Sequence, residues 1–319
     1  FYDGDHQLTV AKRRLSDTDW EFAKLPEKVG WDTHNKILLF MDRAGYLHIT
    51  GNMHCAPLRY YRTEKPRDIQ SFKGIHTWTG RYEDRVTYPN LLKLRDGSCH
   101  IMYRDGGSGD GRRLLVHYDE DTQAWTGTRR AFISGREREP TCNAYPFGGI
   151  REDNTGVLHI AWCWRETPDV VTNFDVCYAK SEDKGHTWKR WDGSTYDLPI
   201  RPENAEVVDP IPQRKGLING GTLAVDSDGF PYIGYTRFNN GGYNQLFVAT
   251  PVGKKWRVIQ LTDWEERFWF EGRGTIPRFP SIPRVSIAED NKTHIRYSNS
   301  SVEPSRGSFI VSREELLNL

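Results

Sequence analysis

The sequence lacks the features that mark disulfide-stapled, membrane-spanning and nucleic-acid-binding proteins. Its five cysteines form no Cys-x-x-Cys pair, and an odd number at irregular spacing is not a disulfide framework. No apolar run approaches the roughly 18 residues that a membrane span needs, and the mean hydropathy is −0.71. The net charge of the 319 residues is only +1. No overall field therefore favours nucleic acid or a membrane surface.

Several short enzyme motifs are also absent. The sequence has neither the Gly-x-Ser-x-Gly of serine hydrolases nor the His-Glu-x-x-His of zinc proteases. The glycine-rich segment 104–111 has no Gly-Lys-Ser/Thr and precedes no helical pattern, so we exclude a nucleotide-binding loop and expect a flexible loop. No long helix is predicted, and residues 312–319 are expected to form a short C-terminal turn.

What the sequence does contain is a β-hairpin that recurs along the chain. The turn glycines and the strands after them read Gly45-Tyr-Leu-His-Ile, Gly97-Ser-Cys-His-Ile, Gly156-Val-Leu-His-Ile and Gly229-Phe-Pro-Tyr-Ile, with a weaker copy at Asn291. The glycines are 52, 59 and 73 residues apart, which is the period of a propeller blade with variable loops. Further strands follow the hairpin in each repeat. The last of them, a short edge strand, is expected to carry a tryptophan, and these tryptophans are Trp78, Trp125, Trp188 and Trp256.

We therefore predict an all-β fold, a single β-propeller domain over residues 1–319 built from four-stranded antiparallel blades. Ser181-Glu-Asp-Lys-Gly-His-Thr-Trp188 matches the Asp-box, a structural hairpin motif typical of such propellers. The copies account for six or seven blades. We favour seven, because the chain starts at Phe1 without Met and we expect a segment before it to be missing. A β-sandwich, which also has regular short strands, is the alternative.

Polar residues occupy the strand ends at one mouth of this predicted propeller. The starts of the inner strands and the ends of the next strands are His34, Tyr88, Tyr145, Asn219, His54, Arg104, Arg165 and Arg237. Since the start of one hairpin strand lies beside the end of the other, His34 should lie beside His54, and Tyr88 beside Arg104. Tyr88 precedes Pro89, which predicts an extended backbone there. We expect a cation-rich funnel for an anionic substrate.

Two histidines, a tyrosine and an arginine make a proton-transfer set with a group that can hold a carboxylate. A glycosidase would need two inward carboxyl groups. The strand ends carry none, although Asp32, Asp105 and Glu166 lie nearby in predicted loops. The mid-strand histidines are expected to be structural, and they are His48, His100 and His159.

Segments 31–35, 45–54, 87–89 and 103–109 resemble the BNR-repeat (Asp-box) propeller family of polysaccharide lyases, whose members include ulvan lyases. The resemblance continues through 143–146, 162–165 and the Asp-box. The separations also match, with 20 residues from His34 to His54 and 16 from Tyr88 to Arg104. The resemblance implies that His34 and Tyr88 are the acid–base pair and that His54 and Arg104 hold a uronate carboxylate. We assign His34 as the base and Tyr88 as the acid, with the reverse order, or Tyr88 in both roles, as the alternatives.

The resemblance implies a lyase that cleaves a uronic-acid-containing anionic polysaccharide, with ulvan-like rhamnose–uronate linkages, by β-elimination. A glycoside hydrolase, an exo-acting lyase on rhamnose–glucuronate caps and a non-catalytic carbohydrate-binding propeller are the alternatives. The residues expected to bind substrate are Tyr145, Arg165, Asn219, Arg237 and Asn35.

No cofactor is required for this chemistry, and the sequence leaves room for a structural zinc or calcium ion. Cys163, Cys177 and His159 could form such a zinc site. The simpler alternative is that the cysteines are buried free thiols. We expect a monomer without nucleic acid or a membrane span. Its location is expected to be secreted, periplasmic or at the cell surface.

Overall fold

The computed structural model describes residues 1–30, 35–127, 130–274, 281–300 and 302–319. Within these ranges the protein is built from β-strands, apart from one short α-helix and two 3₁₀ turns at Ile69–Ser71 and Val170–Thr172. No helix in the described ranges is long and apolar enough to cross a membrane. The expected all-β fold is thus confirmed, while the number of blades and a single propeller over 1–319 stay predictions.

The chain divides into two compact units. Unit 1 comprises Phe1–Gly107 and Arg113–Arg129, and unit 2 comprises Ser108–Arg112 and Arg130–Leu319. The strands whose residues lie wholly or mainly in unit 1 are β1 (Gln7–Lys12), β2 (Glu21–Lys28), β3 (Ile37–Met41), β4 (Leu47–Gly51), β5 (His54–Ala56), β6 (Tyr60–Thr63), β7 (Phe72–Gly74), β8 (Val86–Lys93), β9 (Cys99–Gly107), β10 (Asp110–Asp119) and β11 (Ala124–Gly127).

Unit 1 contains one strand pair and two larger antiparallel sheets. β1 pairs with β2, the second sheet has the order β3-β4-β6-β7, and the third has the order β11-β10-β9-β8-β5. β5 follows β4 along the chain but hydrogen-bonds to the next sheet. Apolar side chains of the strand pair pack on the second sheet, and the buried members of this core are Leu8, Val10, Ala23, Leu25, Ile49, Tyr61 and Ile69.

Unit 2 contains two sheets of four strands in series and one of three. Its elements are β12 (Ile133–Ser134), β13 (Asn143–Pro146), β14 (Arg151–Glu152), β15 (Leu158–Arg165), β16 (Asn173–Ser181), β17 (Glu206–Asp209), β18 (Thr222–Val225), β19 (Pro231–Phe238), β20 (Asn244–Val252), β21 (Lys255–Gln260), β22 (Arg284–Ile287), β23 (Thr293–Ser298), β24 (Arg306–Val311) and α1 (Arg313–Leu317). The sheet orders are β13-β15-β16-β17, with β14 also on β15, then β18-β19-β20-β21 and β22-β23-β24. A capping box of Ser312 and Glu315 starts α1, which confirms the expected C-terminal turn.

The five predicted hairpins are confirmed, and they close in the same way. The Asp42 N–H donates to Tyr46 O at 3.0 Å, and the Gly45 N–H donates to Asp42 O at 3.1 Å. Gly45 has φ 89°, a left-handed conformation that glycine adopts without steric cost. In the fifth copy Asn291 takes this position with φ 61°, as asparagine tolerates better than most residues. The matching turn glycines are Gly97, Gly156 and Gly229.

The Asp-box forms the hairpin turn that its sequence predicts. The Asp183 carboxylate accepts hydrogen bonds from the Thr187 N–H at 2.8 Å, from its hydroxyl at 2.6 Å and from the Ser181 hydroxyl at 2.8 Å. Trp188 is fully buried and stacks on Phe132, with 4.9 Å between ring centroids. The motif therefore ties a loop and anchors it in the core, which is a structural role.

The placement of tryptophans on edge strands is right for two of the four residues. Trp125 lies on β11 and Trp256 on β21. Trp78 and Trp188 lie outside the strands, so the prediction is wrong for them. Their sheets take β7 and β17 as fourth strands instead, because strand pairing follows backbone geometry rather than the position of a large side chain.

Buried side chains form a hydrogen-bonded group at the hairpin of β3 and β4. His48 Nδ1 is 2.6 Å from the Tyr60 hydroxyl, and Nε2 is 3.2 Å from Asp42 Oδ2. The Tyr118 hydroxyl donates to the same carboxylate oxygen at 2.9 Å. Burial lowers the pKa of His48 to about 4, although the hydrogen bond to Asp42 opposes this change. The imidazole is therefore a neutral part of the core near neutral pH.

The same arrangement recurs in unit 2. His159 Nδ1 is 2.7 Å from the Tyr178 hydroxyl and Nε2 is 3.2 Å from Asp153 Oδ2, and burial lowers the pKa of His159. His100 is buried as well and stacks on His117. The structural role expected for the mid-strand histidines is confirmed.

Candidate functional site

Three of the four residues assigned to catalysis lie close together in unit 1. The rings of His54 and Tyr88 are 5.9 Å apart between centroids, at an interplanar angle of 31°. The guanidinium carbon of Arg104 is 5.0 Å from the centroid of the Tyr88 ring, within the range of cation–π attraction. Tyr88 thus contacts both other members of what we call the His54–Tyr88–Arg104 cluster.

Tyr88 does not have the extended backbone that its place before proline predicts. Its φ is 51°, in the left-handed region that bulky residues rarely adopt. The register of β8 on β9 shifts here, from Thr87 opposite Arg104 to Asn90 opposite Met102. β8 therefore carries one extra residue, a bulge that turns the Tyr88 side chain from its regular direction. Such strain costs on the order of 1–3 kcal/mol and often accompanies function.

His54 is not at the end of the returning strand of the first hairpin, where we expected it. β4 ends at Gly51, and His54 begins β5, where its partner is Thr87 of β8. The reason is a second bulge, at Cys55, which has φ 56°. The Cys55 N–H donates to Thr87 Oγ1 at 2.6 Å. His54 is exposed. The pairing of β5 with β8 therefore places an accessible imidazole opposite Thr87, the residue before Tyr88.

Arg104 supplies a positive charge from a buried position. Its side chain is only 1% exposed, and Nε donates to Gly106 O at 2.9 Å. Thr87 Oγ1 donates to the same carbonyl at 3.3 Å. Sequence reasoning missed Thr87 and Gly106 as positioning residues, although the Gly106-Gly107 pair beside Arg104 is a visible signal of a close backbone approach.

The segment 104–111 is a tight hairpin and not the flexible loop that its glycines predict. β9 continues to Gly107 and β10 begins at Asp110, so that only Ser108 and Gly109 form the turn. Asp105 is buried and pairs with Val86 in the strand ladder, whereas we expected it in a loop. Glycine content alone does not indicate flexibility where both strands have partners.

His34 lies outside the described residues, and so does Asp32. Asn35, assigned to substrate binding, precedes β3, and its side-chain oxygen is buried without a hydrogen-bond partner in the described ranges. The pairing of His34 with His54 therefore stays a prediction. In the register of β3 on β4, Ile37 lies opposite Gly51.

In unit 2, three residues assigned to substrate binding form one group. The Arg165 guanidinium carbon lies 5.6 Å from the centroid of the Tyr145 ring, and Nη1 donates to Asn219 Oδ1 at 3.3 Å. Arg165 is 7% exposed and also donates to the carbonyl oxygens of Thr167, at 3.1 Å, and Pro168. It forms no ion pair with a described carboxylate.

Arg237 has a different environment. Its Nε lies 2.7 Å from Asp209 Oδ2, and its guanidinium carbon is 3.9 Å from the centroid of the Phe247 ring. Nη1 donates to Phe238 O at 2.9 Å. The charge of Arg237 is therefore largely neutralised within unit 2, which sequence reasoning did not foresee because Asp209 is 28 residues away.

The described residues contain no group of three or more His, Cys, Asp or Glu that could hold a metal ion. The proposed set of Cys163, Cys177 and His159 does not form one. Burial raises the pKa of both thiols, while His159 is bound to Asp153 and Tyr178. These cysteines are buried free thiols, and a structural zinc or calcium ion elsewhere stays an untested idea.

The fold and the sequence together define the class of protein. It is an all-β protein whose antiparallel sheets follow one another along the chain, and it carries an Asp-box. The profile of the family described as "BNR repeat-containing family member" matches residues 1–264. The chain belongs to this family.

Three curated relatives are ulvan lyases. That of Alteromonas sp. (strain LOR) is 20% identical over 295 residues, covering 84% of this chain and 58% of the relative. Those of Pseudoalteromonas sp. (strain PLSV) and Nonlabens ulvanivorans are 21% and 22% identical, covering 84% and 82% of this chain and 57% and 60% of the relatives. The chain thus spans less than two thirds of the length of these proteins.

Two solved structures share the fold. Polysaccharide lyase Uly1 superposes with a TM-score of 0.64 at 16% identity, covering 96% of this chain and 76% of that one. An ulvan lyase PL25 bound to -[GlcA(1-4)Rha3S]- superposes with a TM-score of 0.62 at 14% identity, covering 88% and 70%. At these identities the likeness shows the fold.

Proposed function

We propose that the protein is a polysaccharide lyase that cleaves an anionic polysaccharide at a uronic acid unit by β-elimination, with ulvan-like rhamnose–uronate linkages as its substrate class. The observation that carries the proposal is the His54–Tyr88–Arg104 cluster, in which a strained tyrosine contacts both an exposed imidazole and a buried guanidinium. The family and the ulvan lyase relatives support it.

The reaction needs three functions. A base removes the C5 proton of the uronate, the C4–O4 bond breaks as the C4–C5 double bond forms, and an acid protonates the leaving O4 oxygen. Positive charge near the carboxylate stabilises the negative charge that develops there. We assign proton transfer to Tyr88 and His34, in either order or by Tyr88 alone.

The structure refines how the cluster is proposed to act. Because Arg104 is buried, its charge acts in a medium of low dielectric constant and is screened less than a surface charge. We assign to Arg104 the positive charge beside Tyr88, and to the exposed His54 the direct contact with the uronate carboxylate. Secretion, or a periplasmic or cell-surface location, is part of the proposal, as the family resemblance implies.

The test is an assay of the whole protein on ulvan, with alginate, heparinoids and arabinogalactan as comparison polymers. Absorbance that rises near 235 nm, roughly where an unsaturated uronate absorbs, is the expected result. Release of sugar without this absorbance would indicate a hydrolase, including one on rhamnose–glucuronate caps. Binding by calorimetry without any product by mass spectrometry would indicate a carbohydrate-binding protein. Either outcome rejects the lyase proposal.

A further inference from the structure

A basic cleft lies within unit 2, apart from the Tyr145–Arg165–Asn219 group. Its volume is about 490 Å³, and four of its lining residues are basic, namely Arg214, Lys215, Arg237 and Arg267. This volume lies within the usual range of small-ligand sites and is large enough for a sugar unit. We call it the basic cleft.

Three of the four positive charges have no carboxylate counter-ion among the residues that the structure describes. Arg237 is paired with Asp209. Arg214, Lys215 and Arg267 are exposed and form no ion pair with any described carboxylate. Like charges that converge on one cleft repel one another, and a bound anion relieves that repulsion. The charge distribution therefore favours an anionic ligand.

The two unpaired arginines are held in position by one aromatic ring. The guanidinium carbons of Arg214 and Arg267 lie 5.2 Å and 5.8 Å from the centroid of the Trp269 ring. Trp269 in turn stacks on Phe238, with 6.3 Å between centroids. Cation–π contacts at these distances reduce the freedom of long side chains, so less entropy is lost when a ligand binds.

The backbone of the cleft is also fixed. The Phe238 N–H donates to Lys215 O at 2.8 Å, and the Arg214 N–H donates to Val171 O at 2.8 Å. Gly216 has φ 72°, and a Cβ placed there would lie 2.6 Å from Phe238 Cδ1. Only glycine allows so close an approach, which brings residues 214–215 against the end of β19. The cleft is therefore built by tertiary contacts.

We propose that the basic cleft binds an oxyanion group, sulfate or carboxylate, carried by a sugar unit of the polysaccharide, and that Arg214 and Arg267 contact it. Guanidinium groups present planar paired donors that match both anions. The saccharide nature of the ligand rests on the proposed function. The anion preference rests on the cleft alone.

The test measures binding of a sulfated tetrasaccharide prepared from ulvan, and of the same tetrasaccharide after chemical desulfation. Calorimetry is performed on the full chain carrying Tyr88→Phe, so that the ligand is not consumed. We expect the double variant Arg214→Ala/Arg267→Ala to raise Kd at least 10-fold. The matched control is Arg257→Ala, an exposed arginine of β21 without a described ion pair, and its Kd should stay within twofold.

The desulfated ligand identifies the anion. If desulfation weakens binding as much as the double substitution does, the cleft binds sulfate. If desulfation leaves Kd unchanged while the double substitution still raises it, the cleft binds the carboxylate. A double variant that binds like the parent, with an unchanged melting temperature, overturns the proposal, as does a parent that binds neither ligand. Double Arg→Lys substitution keeps the charge and should restore part of the affinity.

The lyase assay near 235 nm is run separately on the wild-type chain. Loss of tetrasaccharide binding in the double variant, with no unsaturated product from the wild type, leaves the basic cleft valid and rejects the lyase. If the wild type forms unsaturated product and the double variant binds the tetrasaccharide as the parent does, the lyase proposal is kept and the basic-cleft proposal is rejected.

Discussion

The guanidinium of Arg104 lies against the ring of Tyr88, with 5.0 Å between its carbon and the ring centroid. The two residues meet although Arg104 is registered opposite Thr87, because the bulge in β8 redirects the Tyr88 side chain. A buried positive charge beside a phenol favours the development of negative charge at that place. This contact supports the proposal, which the family resemblance first implied, that Tyr88 takes part in proton transfer.

Tyr88→Phe removes the hydroxyl and keeps the ring against Arg104. We expect turnover to fall by about 100-fold or more, the usual scale of acid–base catalysis, with no change in melting temperature. The same loss of turnover is expected for His34→Ala. The control is Tyr46→Phe, whose ring lies 4.6 Å from the Arg62 guanidinium carbon. Near-normal turnover of either catalytic variant, measured near 235 nm, removes that residue from the mechanism.

Arg104→Lys keeps the charge but loses the planar fork and the Nε donor that binds Gly106 O. We expect kcat/KM to fall by about 10- to 100-fold, because the charge is then less well placed beside Tyr88. Steady-state kinetics and circular dichroism are the measurements. Unchanged kcat/KM in a folded variant would show that the geometry of the guanidinium is irrelevant.

Arg165→Ala should mainly raise KM on polymer, by about 10-fold, with a smaller effect on the shortest cleavable substrate. We expect Arg165 to hold a sugar that flanks the reacting one, so its loss should weaken ground-state and transition-state binding equally. Steady-state kinetics on polymer and on oligosaccharide distinguish an effect on KM from an effect on kcat. Arg257→Ala is the control. Equal effects on both substrates contradict the assignment of Arg165 to a flanking sugar.

Acid should destabilise the fold through His48. Its ordinary pKa is near 6.5, and burial lowers it to about 4 in the folded protein. Between these values the unfolded chain binds more protons, so stability falls as pH decreases from 6.5 to 4. The full loss is on the order of 3–4 kcal/mol. Urea unfolding at several pH values measures it.

The control for this pH dependence is His48→Gln, which does not titrate. It should be less stable at pH 7, because Asp42 and Tyr60 each lose the imidazole as a hydrogen-bond partner, but its stability should vary less between pH 6.5 and 4. His159 shifts in the same direction and contributes a remaining slope. An identical slope in wild type and His48→Gln would exclude His48 as the source.

Asp183→Ala should lower the free energy of unfolding by about 2–3 kcal/mol, since three donors of the Asp-box turn lose their acceptor. The folded variant should retain kcat. Asp197→Ala, at an exposed position, is the control and should change stability by less than about 0.5 kcal/mol. A loss of kcat without a loss of stability would give the Asp-box a functional role.

The five hairpins and the Asp-box were determined by the sequence itself. Their decisive hydrogen bonds join residues only a few positions apart, as between Asp42 and Tyr46 or Asp183 and Thr187. The buried histidines were also foreseen, because their place in mid-strand beside isoleucine assigns them to a core. Such features depend on local turn chemistry and on alternation along a strand.

Only the tertiary structure decided how the site is arranged. The bond from Cys55 to Thr87 spans 32 residues, and it moves His54 from the first hairpin to the next sheet. The left-handed backbone of Tyr88 opposes its local preference, and it persists because both neighbouring strands are paired around it. Arg214 and Arg267 meet at Trp269 through folding alone. Contacts between distant residues depend on packing, which no local pattern of sequence records.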